Sequence, residues 1–354
     1  MTTKQLTAES LAELAKEVEQ NLADSTDQIR NINDDIHVLS INAKIESARA
    51  GNHGKGFGVV ADHIRLLVSR TNGVTEQMES QVKTLMHQLS QMSSQLGVEV
   101  RGQRLRQVGF NAIDIIDRNL YERSCDVRWW ATDSSLVAAL ENPGEESARW
   151  ASHRLGVILD SYTVYFDLIL ADAAGRVVAN GRPGQFSSVG KDVSREPWFR
   201  DGLATTSGDD FAEQGVHLSA LVDKQPVLAY STTVRRGGDV RGAVMGVLGI
   251  LFRWEELGRT AVNRAVETIT TTEGLDRPLA GYIVDDSGAV LIASDGAPLQ
   301  DRLPEGLSRR TTGEGAGGHG QVTIGGKAVL AGWAQSPGYE TYRTGWRCVM
   351  VQSL

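Results

Sequence analysis

The feature that most constrains the fold is a heptad pattern of apolar residues in the first third of the chain. Alternating steps of four and three residues give a first series that is apolar except at one serine: Leu11, Ala15, Val18, Leu22, Ser25, Ile29, Ile32, Ile36, Leu39 and Ala43. A second series, with one shift of register, follows: Val60, Ile64, Leu67, Thr71, Val74, Met78, Val82, Leu85, Leu89, Met92 and Leu96. Seams of this period are typical of helices that pack on other helices.

The two series are separated by Gly51-Asn52-His53-Gly54. Glycine permits the positive φ angles that a tight reversal needs, so the sequence predicts an antiparallel helical hairpin with its turn at residues 51–54. A hairpin of this length is not expected to be stable alone, because part of its apolar surface stays uncovered. We therefore predict a homodimer in which two hairpins form a four-helix bundle.

Composition changes along the chain and locates the domains. Residues 1–110 contain no Trp, Tyr or Pro, whereas six of the seven Trp residues lie at or beyond Trp130. Apolar positions continue past the second seam, so we predict a long connecting helix over 98–140 that Asn142-Pro143-Gly144 ends. We predict that residues 118–354 form a globular unit.

A repeat indicates two modules in this globular unit. The segments LILADAAGRVVANG at 168–181 and YIVDDSGAVLIASDG at 282–296 each indicate a strand, an Asp/Gly turn and a second strand. We predict successive α/β modules at about 145–255 and about 275–354, the first with a helix from about Glu145 to Tyr165. The whole chain is then α+β, a helical hairpin followed by two α/β modules.

Composition also excludes several classes of function. No apolar run approaches the ~20 residues of a membrane span, and the first residues lack the apolar core of a signal peptide. Two cysteines give neither a disulfide framework nor metal-ligand spacing, and the net charge of -8 disfavours nucleic acid as a partner. The expectations are a cytoplasmic protein with no membrane span, no metal and no cofactor. Because no catalytic constellation is apparent, we predict that it is not an enzyme.

The segment VLSINAKIESARAGNHGKGFGVVADHIR at 38–65 closely resembles the hairpin tip of bacterial chemoreceptors, the methyl-accepting chemotaxis proteins. The resemblance implies a chemotaxis histidine kinase and its coupling protein as partners, and dimers that join as trimers. It assigns these contacts to one set of tip residues: Val38, Ile41, Asn42, Ile45, Glu46, Arg49, Phe57 and Val59. Lys44 and His63 depart from the family pattern, where a small residue and a carboxylate are usual.

The globular unit resembles the double Cache sensor, a ligand-binding domain built from two PAS-like modules. The two repeated hairpins, SREPWFRDGL at 194–203 and GWRCVMVQ at 345–352 carry the resemblance. It implies an unknown small-molecule ligand and a set of candidate ligand-binding residues: Arg195, Glu196, Trp198, Phe199, Asp223 and Tyr230. Glu196 stands where the family has arginine, and Glu196 and Asp223 together favour a cationic or hydroxyl-rich ligand. The alternative is that Trp198 and Phe199 are core aromatics.

The leading interpretation is a cytoplasmic chemoreceptor with its kinase-control hairpin first and its sensor last. A structural or adaptor coiled coil of a chemoreceptor array, without ligand sensing, is the alternative. An enzyme regulated by the coiled coil is a third interpretation, disfavoured by the missing catalytic residues.

Overall fold

The computed structural model describes residues 8–273, 278–311 and 315–354. The chain divides into two compact units, Met1–Arg101 and Gly102–Leu354. We call them the hairpin unit and the α/β unit.

The hairpin unit contains the predicted reversal. Helix α1 (Ala8–Arg49) is followed by a 3-10 turn at Gly51–Gly54 and by α2 (Lys55–Trp130), which continues into the α/β unit. Gly51 has a φ of +57°, the left-handed conformation that glycine adopts without strain. The Ser47 hydroxyl donates to the Gly54 carbonyl at 2.6 Å and fastens the turn to α1.

The buried positions of the hairpin differ from the predicted apolar seam. Many are small or polar: Ala15, Thr26, Asn33, Ser40, Ala61, Thr75 and Ser93. Asn33 and Asn72 meet across the hairpin, with an Nδ2 to Oδ1 distance of 2.5 Å. Predicted seam residues such as Ile32 and Leu39 are instead 58% and 63% exposed. Several large apolar side chains of the predicted seam therefore lie off the contact between α1 and α2.

The predicted long helix is continuous over 98–130, but its predicted end at 140 is wrong, because α2 ends at Trp130. The Asp133 carboxylate accepts a hydrogen bond from the Ser135 amide at 2.9 Å and caps a new helix, α3 (Ser134–Glu141). A side chain that caps in this way favours a fresh helix start over continuation of the old one. Helix α4 begins at Glu145 after the predicted break, and ends at Ser161, four residues earlier than predicted.

The first module of the α/β unit is a five-stranded antiparallel sheet in the order β2-β1-β5-β4-β3. Its elements are β1 (Tyr165–Asp172), β2 (Val177–Asn180), α5 (Pro197–Leu203), β3 (Ala212–Ser219), β4 (Gln225–Arg235) and β5 (Val244–Arg253). Short 3-10 turns lie at Ala220–Val222 and Arg236–Gly238. Helix α6 (Trp254–Glu273) follows.

The second module repeats this strand order, β7-β6-β10-β9-β8. Its elements are β6 (Leu279–Val284), β7 (Val290–Ala293), α7 (Glu305–Thr311), β8 (Gly317–Ile324), β9 (Lys327–Gln335) and β10 (Arg347–Ser353). The hairpins β1–β2 and β6–β7 are the repeat found in the sequence, and the prediction of two α/β modules is confirmed.

Helix α2 packs on the second sheet through glycines. A Cβ at Gly332 would lie 2.5 Å from the Arg106 amide nitrogen, and one at Gly102 would lie 2.6 Å from the His319 ring. Backbone contact this close excludes larger side chains. The last third of α2 is thereby part of the α/β unit, which explains why this unit begins at Gly102.

Candidate functional site

The tip of the hairpin unit exposes apolar side chains on both arms. On α1, Val38, Ile41 and Ile45 are 57%, 44% and 49% exposed, and their spacing puts them on one side of the helix. On α2, Phe57 is 73% and Val59 is 58% exposed. We call the predicted set of eight the tip surface: Val38, Ile41, Asn42, Ile45, Glu46, Arg49, Phe57 and Val59.

The polar part of the tip surface is an ion pair. An Arg49 guanidinium nitrogen lies 2.8 Å from a Glu46 carboxylate oxygen, one turn apart on α1. Both side chains are about two-thirds or more exposed, so the pair adds little to stability. An exposed apolar surface with an accessible ion pair has the composition of a protein docking site.

Lys44, the departure from the family pattern, connects the two arms. Its ammonium group forms an ion pair with Asp62 and lies 3.4 Å from the Gly58 carbonyl. The hydrogen bond from Lys44 holds the pKa of the Asp62 carboxyl below its usual value. The longer side chain thus takes a position where it ties α1 to α2 just below the turn.

In the first module, the predicted ligand-binding aromatics are in the core. Trp198 is 1% exposed and Phe199 is 2% exposed, and both belong to one cluster with residues such as Val177 and Leu221. The Trp198 ring lies against Gly249 on β5, where a Cβ would collide with it. The sheet therefore needs glycine at this position for the indole to fit.

The other predicted ligand-binding residues do not gather around Trp198. Arg195 and Asp223 are exposed, and Glu196 is half-buried at the start of α5. Asp223 has a φ of +55° in the turn between β3 and β4. Tyr230 is fully buried, but its hydroxyl lies 2.7 Å from that of Tyr342 in the second module. The structure thus groups only the candidates that are close in the chain, at 195–199, whereas the Tyr230 hydroxyl bonds to Tyr342.

Asp167 is a structural residue that the sequence reasoning missed. Its carboxylate is fully buried on β1 and accepts hydrogen bonds from the backbone amides of Leu168, Gly181 and Arg182, at 2.9, 2.9 and 3.1 Å, and from the Asn180 side chain at 2.6 Å. Burial raises the pKa of this carboxyl to about 6. A charged residue inside an otherwise apolar strand was the signal that could have identified it.

A second missed feature is a polar cluster that joins three parts of the α/β unit. Tyr342 donates to the Glu213 carboxylate on β3 at 2.6 Å. Asp117 on α2, fully buried, accepts from Ser336 and Thr344 at 2.5 and 2.9 Å. Burial raises the pKa of the Glu213 carboxyl. The contacts join residues more than 100 positions apart, so no local pattern indicates them.

Across residues 8–273, 278–311 and 315–354, no group of three or more His, Cys, Asp or Glu side chains is placed to hold a metal ion. Over the same residues, no helix combines the length and the apolar character that crossing a membrane requires.

The hairpin region matches a family of known proteins. Residues 3–116 match the family model of the methyl-accepting chemotaxis protein (MCP) signalling domain. A putative methyl-accepting chemotaxis protein of Alcanivorax borkumensis, AlkN, is 26% identical over 184 residues, which are 50% of this chain and 25% of AlkN. The toxin coregulated pilus biosynthesis protein I of Vibrio cholerae is 41% identical over 81 residues, 23% of this chain and 13% of that protein. The chain thus spans a quarter or less of either relative.

The α/β unit has the fold of known sensor domains. One similar structure is the ligand-binding domain of the Pseudomonas aeruginosa amino acid chemoreceptor PctC, solved with GABA. It superposes with a TM-score of 0.52 at 20% identity, and the superposition covers 72% of this chain and 100% of the PctC domain. The sensor domain of the V. cholerae histidine kinase DctB gives a TM-score of 0.53 at 12% identity, covering 73% and 98%. At these identities the likeness shows the fold alone, two Cache-like modules after a helix, as predicted.

Proposed function

We propose that this chain, which joins an MCP signalling domain over residues 3–116 to a double Cache-like sensor domain, is a chemoreceptor that controls a chemotaxis histidine kinase. The observation that carries the proposal is the tip surface, where residues matching the family's contact positions are exposed. The kinase and its coupling protein would bind there through the apolar side chains and the Glu46–Arg49 pair.

The input of this receptor would be a small molecule bound by the α/β unit. The fold supports this part, because the similar domain of PctC was solved with GABA. The residues themselves suggest another ligand class for this chain. Glu196 is half-buried beside the buried Trp198, so a cationic or hydroxyl-rich compound fits this end of the first module better than a carboxylate does.

The proposal places the protein in the cytoplasm and gives it no catalytic role. Both of its cysteines, Cys125 and Cys348, are free thiols, and Cys348 is buried. Unpaired thiols are the usual state of cysteine in a reducing compartment.

Co-purification with the kinase and coupling protein of the same organism tests the proposed docking site. Phe57→Asp removes the most exposed aromatic side chain of the tip and should reduce the retained kinase about tenfold, the effect of losing an interface residue worth ~1.4 kcal/mol. Leu218→Asp is the matched control, because Leu218 is 60% exposed on β3 of the α/β unit. Equal retention by the Phe57 variant and the wild type would argue against docking at the tip.

The proposed receptor is a homodimer. Three such dimers would associate through the tip surface. Large apolar residues of both helices, including Ile32, Leu67 and Val74, are 58%, 59% and 66% exposed in the hairpin unit. A second hairpin would cover them in a four-helix bundle, which also explains why the predicted seam is not the contact between α1 and α2.

The dimer is tested by Ile32→Glu together with Leu67→Glu. Charges in the apolar seam should convert the dimer to a monomer at micromolar concentration, because burying an unpaired carboxylate costs several kcal/mol. Analytical ultracentrifugation gives the mass. The control is Asn31→Glu with Ser69→Glu, two exposed polar positions on the same helices. A wild-type monomer, or a dimer unaffected by the seam charges, would contradict the proposed bundle.

An array adaptor that senses nothing is the second candidate, and one observation favours it. Trp198 and Phe199 are packed among core side chains of the first module, as expected if they only stabilise the fold. A panel of amines, polyols and amino acids tested by thermal shift on the full chain separates the candidates. Saturable stabilisation by any compound supports the receptor, and no stabilisation across the panel favours the adaptor.

A further inference from the structure

We propose that the loop between β9 and β10, residues 336–346, is the mechanical connection through which the first module acts on helix α2, with Tyr342 as its central contact. The inference rests on the proposed function, since it describes how a signal would leave the sensor module.

One side of the loop is fixed to α2. The Asp117 carboxylate, 0% exposed, accepts from the Ser336 hydroxyl at 2.5 Å, the Gly338 amide at 2.8 Å and the Thr344 hydroxyl at 2.9 Å. Tyr339 of the loop stacks edge to face on Tyr121, with ring centroids 5.4 Å apart. Both ends of the loop are thus bonded to a single carboxylate on α2.

The middle of the loop is fixed to the first module. Tyr342 is 4% exposed and donates to Glu213 on β3 at 2.6 Å. Its oxygen lies 2.7 Å from the hydroxyl of Tyr230 on β4. Since Tyr342 uses its proton on the carboxylate, Tyr230 is the donor in this second bond. One hydroxyl therefore connects two strands of the first sheet.

The same two strands hold α5, which carries two of the predicted ligand-binding residues, Trp198 and Phe199. Gln214, next to Glu213, accepts from the Trp198 amide at 3.2 Å. Ser231, next to Tyr230, donates to the Trp198 carbonyl at 2.6 Å. Successive strand residues point to opposite faces of a sheet. The sheet therefore has α5 bonded on one face and Tyr342 bonded on the other.

These contacts form a continuous path from α5 through β3 and β4 to Tyr342 and Asp117. Buried hydrogen bonds of this kind are either made or broken, because a half-made bond leaves a buried polar group without a partner. A shift of α5 on ligand binding would move β3 and β4, and a changed Tyr342 contact would alter the hold of the loop on α2.

Amide hydrogen exchange of the full chain tests the path. Tyr342→Phe keeps the ring and removes the hydroxyl. We expect exchange to become about fivefold faster or more, the lower end of typical coupling between sites, both in β3–β4 and in α2 around Asp117. Tyr282→Phe is the matched control, because Tyr282 also donates to a carboxylate in the second module, that of Asp295, but at an exposed position. It should change neither region.

A second variant tests the path from its α2 end, at Asp117. Asp117→Asn weakens the bonds from Ser336, Gly338 and Thr344, and it should speed exchange in β3–β4 through the loop. If Tyr342→Phe or Asp117→Asn changes exchange only in the loop and α2, the coupling is refuted. The readout needs no kinase and no ligand, so failure of the proposed receptor function and failure of the coupling remain distinguishable. Kinase retention by Tyr342→Phe, measured in parallel, should equal that of the wild type.

Discussion

Replacing Trp198 by alanine is expected to lower the free energy of unfolding of the α/β unit by about 4 kcal/mol, the usual cost of deleting a large aromatic side chain from a core. Trp198 is 1% exposed and packs against Gly249, where the strand has no side chain of its own to fill the space. The cavity would therefore be large, and the backbone of β5 cannot collapse into it without breaking the sheet.

Urea unfolding followed by circular dichroism at the strand signal measures this loss. Trp150→Ala is the matched control, because Trp150 is 56% exposed on α4 of the same unit and its removal should cost less than about 1 kcal/mol. A Trp198 variant as stable as the Trp150 variant would mean that the indole lines an open pocket, and the core assignment would then be wrong.

The hairpin and the two modules were predictable from the sequence because both depend on local patterns. Glycines at 51 and 54 coincide with the end of one heptad series, and the turn forms there. The repeated Asp/Gly turns predicted the β1–β2 and β6–β7 hairpins. In these turns the Asp172 and Asp285 carboxylates accept hydrogen bonds from backbone amides.

The contact between α1 and α2 was not predictable, because a heptad pattern does not say which partner covers it. Large apolar residues such as Ile32 predicted the seam, whereas the hairpin buries the neighbouring Asn33. The end of α2 was missed for a different reason. The Asp133 side chain caps a new helix, and the apolar pattern does not give the side-chain geometry that makes this cap.

The ligand-binding candidates stay a prediction, and their arrangement in the sheet could not be read from the motif. Matching to the family placed Trp198 and Tyr230 in one set, but they bond on opposite faces of the sheet. The Tyr230 hydroxyl bonds to Tyr342 of the second module. The two residues are 112 positions apart, so no local sequence pattern predicts this contact.

Removal of the Glu46–Arg49 pair is expected to abolish control of the kinase with little effect on folding. Both side chains are mostly exposed, so the double alanine variant should retain its helix content and melting temperature. When the kinase binds, the same two charges lose their contact with water and pair with groups of the partner. Removing such contacts costs more than ~1.4 kcal/mol of binding free energy, which is a tenfold loss of affinity. The matched control is Glu305→Ala with Arg309→Ala, an ion pair 78% exposed on α7.

The most direct test is the rate of phosphorylation of the chemotaxis kinase, reconstituted with its coupling protein and the full chain. The proposed function requires that the wild type and the α7 control change this rate equally, and that Glu46→Ala with Arg49→Ala returns it to the rate of the kinase alone. A wild-type chain that leaves the kinase rate unchanged, or a tip variant that acts as strongly as the wild type, would contradict kinase control through the tip.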